Sequence, residues 1–426
     1  MKKYILISVI LLTIIASAVQ AGTIVTNKVI LPKEPGTYME VRHIVLRGTN
    51  EEIGKALGDI AQEWLGVKLV RYAAPFYAKA RQVYLEKNYP ILLDRMKGVA
   101  KSYNLSPTDD SYVPSYLIYD LAPLSCSAIY FPASSTTNGH ILLAHNMDFY
   151  ITTLRVMFGM KPVEGEHNLF SRNFIMELYP DKGYPSLVVG ALDLMNGFQS
   201  GMNSEGLIVA MLADNDAPAN KTPSPLGDNT GGLNILQMAR LILDTCATVE
   251  EARIAILNNK LTLGFEPAHL LIGDRSGKSF IYETSSRDFT DHFTGNNGKP
   301  QIMTNHSVHL YRDVNKFPSY SPRATYNSFY RYRTLHDFLQ KHRGKISPDD
   351  ARRALGMVYA HTVDADEGAA FPIPCRTLCP MVYDIDEHSL EVKFYLKDGP
   401  IDPKTGDPTL IFSRPFKFKL KVDKKL

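Results

Sequence analysis

Cysteine is scarce: the chain has four in 426 residues, Cys126, Cys246, Cys375 and Cys379. That is too few for a disulfide scaffold, and at most one or two bridges could form. A surplus of one charge is also missing. Lys+Arg number 47 and Asp+Glu 44, a formal net charge of +3. Nothing there favours a nucleic-acid partner, which calls for a basic surface. There is no Walker motif, no dinucleotide glycine motif and no internal repeat. After the N-terminus no stretch reaches ~18 uninterrupted apolar residues, so no later membrane span is expected. What is present is ordinary globular composition, 45% hydrophobic and 21% charged. A chain of this length can bury one large core or two to three smaller ones.

Residues 1–21 read as an export signal: Lys2 and Lys3, a nearly continuous apolar run from Tyr4 to Ala16, then small residues before a cut after Ala21. An uncleaved anchor is the alternative, but the run is short for a bilayer. The expected location is outside the cytoplasm, periplasmic or secreted.

In the remainder, 38–47 alternates like a half-buried strand closed by Gly48. Thr49 and Glu52 have capping-box spacing for a helix whose Ile53, Leu57, Ile60 and Trp64 share one face. A second helical stretch, 76–103 with a break at Pro90, carries Phe76, Tyr77, Tyr84 and Tyr89. These rings suit packing between helices, or the wall of an apolar substrate channel. From about 126 short alternating strands dominate. Helices are expected near 233–244, from Thr248, near 325–341 and near 348–358. Strands are expected near 269–273, 279–283, 301–304, 380–385, 390–396 and 415–421. The sequence of elements points to mainly antiparallel sheets covered by helices.

One segment carries chemistry. Cys126-Ser-Ala-Ile opens a strand, Asn138-Gly139 turns the chain, and a second strand ends at His145-Asn-Met-Asp148. Such a hairpin sets Cys126 opposite the far end of the second strand, within reach of His145 or Asp148. A thiol beside a base and a carboxylate is the arrangement of an activated nucleophile; a small core residue is the plainer reading. Cys246 reads as core. Cys375 and Cys379 are close enough in sequence for a local disulfide. No metal site is expected, since two cysteines without a histidine pair make a poor ligand set. His306 and His309 lack further ligands nearby in sequence.

Cys126-Ser-Ala-Ile … Asn138-Gly-His-Ile-Leu142 … His145-Asn-Met-Asp-Phe149 resembles the start of the catalytic chain in cysteine N-terminal-nucleophile (Ntn) hydrolases. These include bile salt hydrolase, penicillin V acylase, acid ceramidase and isopenicillin N acyltransferase. Further similar segments follow in order: Arg47-Gly-Thr49, Glu52-Ile-Gly54 and Leu57-Gly58; Gly201-Met-Asn-Ser-Glu-Gly-Leu207; Met303-Thr-Asn-His306; Asn327-Ser-Phe-Tyr-Arg331; and Arg376-Thr-Leu378 with Tyr383-Asp384. The resemblance implies an α+β, four-layer αββα fold with two packed, mainly antiparallel sheets and an N-terminal helical segment. It implies self-cleavage between Ser125 and Cys126, dividing the chain into a signal (1–21), an N-terminal segment (22–125) and a catalytic part (126–426). The freed α-amine of Cys126 would serve as base for its own thiol. Asp148 would hold that amine, Asn305 would stabilise the oxyanion or fix the nucleophile, and Arg331 would steady charge around Cys126. His145 stands where the relatives carry Arg, a partial replacement at best. The oxyanion Asn of bile salt hydrolase falls at Leu212 or Ala213, leaving Asn215 or main-chain N–H groups for that role.

The expected activity is hydrolysis of N-acyl amides through an acyl-enzyme, or acyl transfer by the same chemistry, with no cofactor. The alternatives are a phospholipase-B-like lipid hydrolase, a conventional cysteine protease with a distant His, and an inactive exported binding protein. The expected partners are a small N-acyl amide or lipid-like molecule, and the 22–125 segment retained after cleavage through its Ile53/Leu57/Ile60/Trp64 face.

Overall fold

Most strands bury apolar side chains on both faces, so each sheet needs a layer on either side. The computed structural model describes residues 24–120, 125–214, 216–217, 231–262, 267–318, 327–361 and 374–422. The expected signal and Asn215 lie outside the described residues.

The chain opens with β1 (Ile24–Leu31) and β2 (Glu40–Gly48), then α1 (Asn50–Ile60), α2 (Pro75–Asn88) and α3 (Pro90–Ser102). The hairpin β3 (Ser125–Phe131) and β4 (Leu142–Tyr150) follows, with a short helix α4 (Leu154–Met157). Next come β5 (Arg172–Pro180), β6 (Ser186–Gly190), β7 (Ser200–Asn203) and β8 (Ile208–Ala213), then α5 (Ile235–Thr245) and α6 (Val249–Asn258). Four strands succeed them: β9 (Ala268–Gly273), β10 (Ser279–Thr284), β11 (Asp291–Gly295) and β12 (Gln301–Met303). After α7 (Ser328–Lys341) and α8 (Pro348–Gly356) the chain closes with β13 (Cys375–Asp384), β14 (Ser389–Val392), β15 (Tyr395–Ile401), β16 (Pro408–Phe412) and β17 (Phe416–Lys419).

Two sheets result. Sheet I has nine strands in the order β1-β2-β5-β6-β7-β8-β9-β10-β11; sheet II has six, β12-β3-β4-β13-β14-β17. Neighbours pair antiparallel except β2 and β5, which run parallel over nine residues. Alternation sorts the side chains into layers. Phe174, Met176, Val209, Leu270 and Tyr282 of sheet I pack under α1, α3, α5 and α6. Ile175, Val189, Ala210, Leu271 and Ile281 face Cys126, Ala128, Met147 and Tyr383 of sheet II across an inter-sheet core. Ile129, Phe131, Leu142 and Ala144 meet Leu335, Phe338, Ala351 and Leu355 of α7 and α8. The layers therefore run helix, sheet, sheet, helix, an α+β fold of the αββα kind.

Local chemistry accounts for the element ends. Thr49 and Glu52 form a reciprocal capping box at α1. Thr248 accepts from Glu251 N–H at α6, but the Glu251 carboxylate turns to Ala247 N–H instead. Pro90 begins α3 rather than kinking a longer helix. α1 and α3 cross at glycine: a Cβ on Gly54 would stand 2.0 Å from the Arg95 carbonyl oxygen. The β7–β8 turn is an ordinary hairpin held by Asn203, whose carboxamide oxygen accepts from Glu205 and Leu207 N–H.

Two expectations need correction. The aromatic stretch 76–103 does not line a channel to Cys126. Tyr89 packs in the core under sheet I and donates to Asp244, while Phe76 is 64% exposed. Sheet I stands between these rings and the thiol. The 375/379 disulfide also fails. Neither cysteine is in a disulfide. Four residues along a strand span about 13 Å, far beyond a disulfide's reach. The register shift between Thr377 and Cys379 adds a reversal of face, so Cys379 enters the inter-sheet core while Cys375 packs with Ala360.

Candidate active site

The hairpin pairs Ser125 with Asp148, Cys126 with Met147 and Ala128 with His145. Paired residues share a face, so the Cys126 and His145 side chains enter the inter-sheet core while Asp148 points toward the helices of sheet II. β12 runs along the other side of β3, pairing Met303 with Ala128. The turn that follows brings Asn305 beside Cys126.

Three expected residues meet there. The Cys126 N–H donates to Asn305 Oδ1 at 2.8 Å. Arg331, on the first turn of α7 and 1% exposed, donates to the Cys126 carbonyl oxygen, to Ser127 Oγ at 2.8 Å and to Asn305 Oδ1 at 2.8 Å. The Asn305 amide nitrogen donates to the Ala213 carbonyl at 2.8 Å, tying sheet II to the end of β8 in sheet I. Ala213 takes part here as an acceptor through its carbonyl, so this contact supplies no N–H donor for an oxyanion.

Asp148 completes the group. Its Oδ1 accepts from Thr377 Oγ1 at 2.5 Å, and Thr377 is oriented by the Ala360 N–H. Its Oδ2 has no hydrogen-bond partner among the described residues, and Arg331 Nη1 stands 4.0 Å away. Burial pushes the Asp148 carboxyl up to about 6, against the downward pull of Arg331 and Thr377. Burial likewise pushes the Cys126 thiol well up, aided by the Asp148 charge and opposed by the Asp148 N–H and Arg331. In the unbroken chain Cys126 is fully buried and its thiol is protonated.

His145 is not part of this group. Its ring is buried two residues from Met147, with Nδ1 3.2 Å from Ser200 Oγ, and burial pushes its pKa down to about 3. A neutral imidazole supplies none of the positive charge an Arg would, and Arg331 is the cation that bonds at Cys126 among the described residues. Thr377 and Ser127 were missed as site residues. Thr377 stands in the Arg376-Thr-Leu378 match and Ser127 in the Cys126-Ser-Ala-Ile match, but neither match gives the residue a role. Among the described residues Asp214, His269 and Glu283 are the one group whose donor atoms could converge on a metal.

A family model described as acyl-coenzyme A:6-aminopenicillanic acid acyl-transferase matches residues 134–397, well over half of the chain. The chain belongs to this family. That description is of an enzyme of acyl transfer. The matched span contains Asp148, Asn305 and Arg331, and Cys126 lies just before it. Among solved structures, a mutant conjugated bile acid hydrolase from Clostridium perfringens is 13% identical with a TM-score of 0.42, covering 71% of this chain and 100% of that one. A second variant of the same hydrolase has a TM-score of 0.43 at 13% identity and the same coverage. Penicillin V acylase from Agrobacterium tumefaciens is 18% identical with a TM-score of 0.40, covering 67% of this chain and 85% of that one. No curated protein matches the chain significantly. No helix among the described residues is long and apolar enough to cross a membrane.

Proposed function

We propose that this chain is an exported, self-processed cysteine amidohydrolase that cleaves the C–N bond of linear N-acyl amides. The signal is removed after Ala21, and the chain then cuts itself between Ser125 and Cys126. Cleavage converts the Cys126 amide nitrogen into an α-amine. Such an amine has a pKa of roughly 8, so part of it is free base near neutral pH. It takes the proton of its own thiol, and the thiolate adds to the substrate carbonyl. The amine product leaves, an acyl-enzyme remains on Sγ, and water releases the acid. A second amine in place of water gives acyl transfer.

The observation that carries this reading is the Cys126 nitrogen itself. It is buried, bonded to Asn305, and served by Arg331 through the adjoining carbonyl. The register sets Asp148 beside it, with Oδ2 unbonded among the described residues. A newly formed ammonium has two further N–H groups to satisfy, and a buried carboxylate is the strongest acceptor for one of them. Asn305 then fixes the amine, and Arg331 holds the positive charge that favours a thiolate. A conventional protease is disfavoured because no described histidine ring bonds to Cys126.

The 22–125 segment stays attached after cleavage. β2 pairs with β5 over nine residues, and Ile53, Leu57 and Ile60 are buried under sheet I. The test is intact mass and N-terminal sequencing of wild type beside Cys126→Ala. Fragments 22–125 and 126–426 that co-elute, with an intact mutant, support the reading. A wild-type chain that stays whole while folded overturns it. Chromogenic N-acyl 4-nitroanilides of increasing acyl length then define the substrate.

A further inference from the structure

Asn305 belongs to sheet II by sequence, yet its turn is gripped by sheet I. The turn's first half is tied to the start of α7: Asn305 N–H donates to Ser328 Oγ, and Thr304 Oγ1 to the Ser328 carbonyl. The second half reaches across to three polar side chains on neighbouring strands. Asp214 directly follows β8, His269 lies on β9 and Glu283 on β10; alternation places all three on the inter-sheet face, and all are at most 1% exposed. Ser307 Oγ donates to Asp214 Oδ2 at 2.5 Å. The Val308 N–H donates to Glu283 Oε1 at 2.5 Å and the His309 N–H to Glu283 Oε2 at 2.8 Å. His269 Nδ1 lies 3.2 Å from Glu283 Oε1 and 3.7 Å from Asp214 Oδ2.

A carboxylate that accepts two consecutive main-chain N–H groups fixes the direction of a turn as well as its position. We propose that Glu283 is a positioning residue for Asn305: with His269 and Asp214 it clamps the Thr304–His309 turn so that the Asn305 carboxamide spans Cys126 N and Ala213 O. The inference rests on the role given to Asn305 above. Glu283 suits the task because it remains charged. Burial works against its ionisation, but hydrogen bonds from His269 and His309 prevail and pull it down to about 2. Each Glu283 oxygen already accepts a main-chain N–H, so the cluster needs no metal to balance its acceptors.

The role requires an acceptor on both oxygens, and Gln offers one acceptor and a donor. Glu283→Gln should slow self-cleavage about 10–100-fold, the range for a lost charge-assisted hydrogen bond at a reacting group. Glu283→Asp keeps both acceptors on a shorter arm and should recover part of the rate. The readout is cleavage half-time by intact mass, and kcat per titrated Cys126 thiol on an N-acyl 4-nitroanilide, with the melting temperature confirming the fold. If Glu283 acts through Asn305, Glu283→Gln costs little more in an Asn305→Ala background, followed over days. Wild-type rates in Glu283→Gln overturn the clamp. So does an equal loss in both backgrounds, which marks a purely structural residue, or stoichiometric zinc or manganese in the purified chain. If Asn305→Ala itself cleaves and turns over normally, the role given to Asn305 falls and takes the clamp with it.

Discussion

Asp148 is expected to weaken the fold it serves. Its carboxyl rises from an ordinary 3.8 to about 6 because burial outweighs Arg331 and Thr377. At 1.36 kcal/mol per pKa unit that corresponds to about 3 kcal/mol. The sign follows from linkage. Below pH ~4 the carboxyl is neutral in both the folded and the unfolded chain, and Asp148 costs nothing by this route. As pH rises from ~4 to ~6 the unfolded chain ionises while the folded chain resists, so stability is lost progressively. Above ~6 the loss is complete and constant. Asp148→Asn removes the titration while keeping the acceptor for Thr377 Oγ1. Measured in a Cys126→Ala background, so that neither protein can cut itself, the stability of Asp148→Asn relative to its parent should grow by about 3 kcal/mol between pH 4 and pH 7 and then level off. Melting temperatures on a pH series read it directly, because every other titrating group is common to both proteins. In a cleavable background the same substitution should stop self-cleavage. A difference that is flat across the series, or a parent that gains on the mutant as pH rises, refutes the argument: burial would then not dominate the Asp148 carboxyl, which would titrate normally in the first case and below its ordinary value in the second.

The neutral, buried His145 ring predicts that His145→Gln leaves kcat within about threefold and the pH profile from 6 to 9 unchanged; a lost acid limb in that profile would reinstate His145 in the chemistry. A thiol titration in denaturant without reductant should count four free thiols per chain, and two would mean that Cys375 and Cys379 had bridged after all. Asp244 accepts from Arg95, from Arg240 and from Tyr89 with every partner buried, so Asp244→Asn strands two guanidinium charges and should cost about 3–5 kcal/mol. Its effect should appear in soluble yield and melting temperature, with self-cleavage per folded molecule unchanged, since sheet I separates it from Cys126.

Sequence reading found the β3–β4 hairpin and α1 because both announce themselves locally: alternation with an Asn-Gly turn in one, a capping box with a spaced apolar face in the other. It located α5, α7 and α8 to within a few residues for the same reason. β7, β11, β15 and β16 escaped it. β7, β11 and β16 are short, and β15 and β16 pair only with each other and stay mostly unburied, so little alternation is imposed on them. Asp148, Asn305 and Arg331 were legible through ordered motif matches. Hairpin pairing puts His145 within reach of Cys126 along a strand but does not say which neighbour stands opposite the thiol; the register gives Met147 that place.

The harder part to read was the hold on Asn305. Its motif, Thr304-Asn-His306, names the residue, but the groups that aim it come from 214, 269, 283 and 328, and no spacing rule connects those positions. They converge because the inter-sheet face of β8, β9 and β10 ends where the β12 turn begins. One site is thus assembled from two sheets and a helix, with the nucleophile on sheet II and the anchors of Asn305 shared between sheet I and α7. A loosening of the sheet packing should therefore reach Cys126 first through Asn305. The bond to watch is Asn305 Nδ2 to the Ala213 carbonyl, a hydrogen bond by which the Asn305 side chain reaches sheet I.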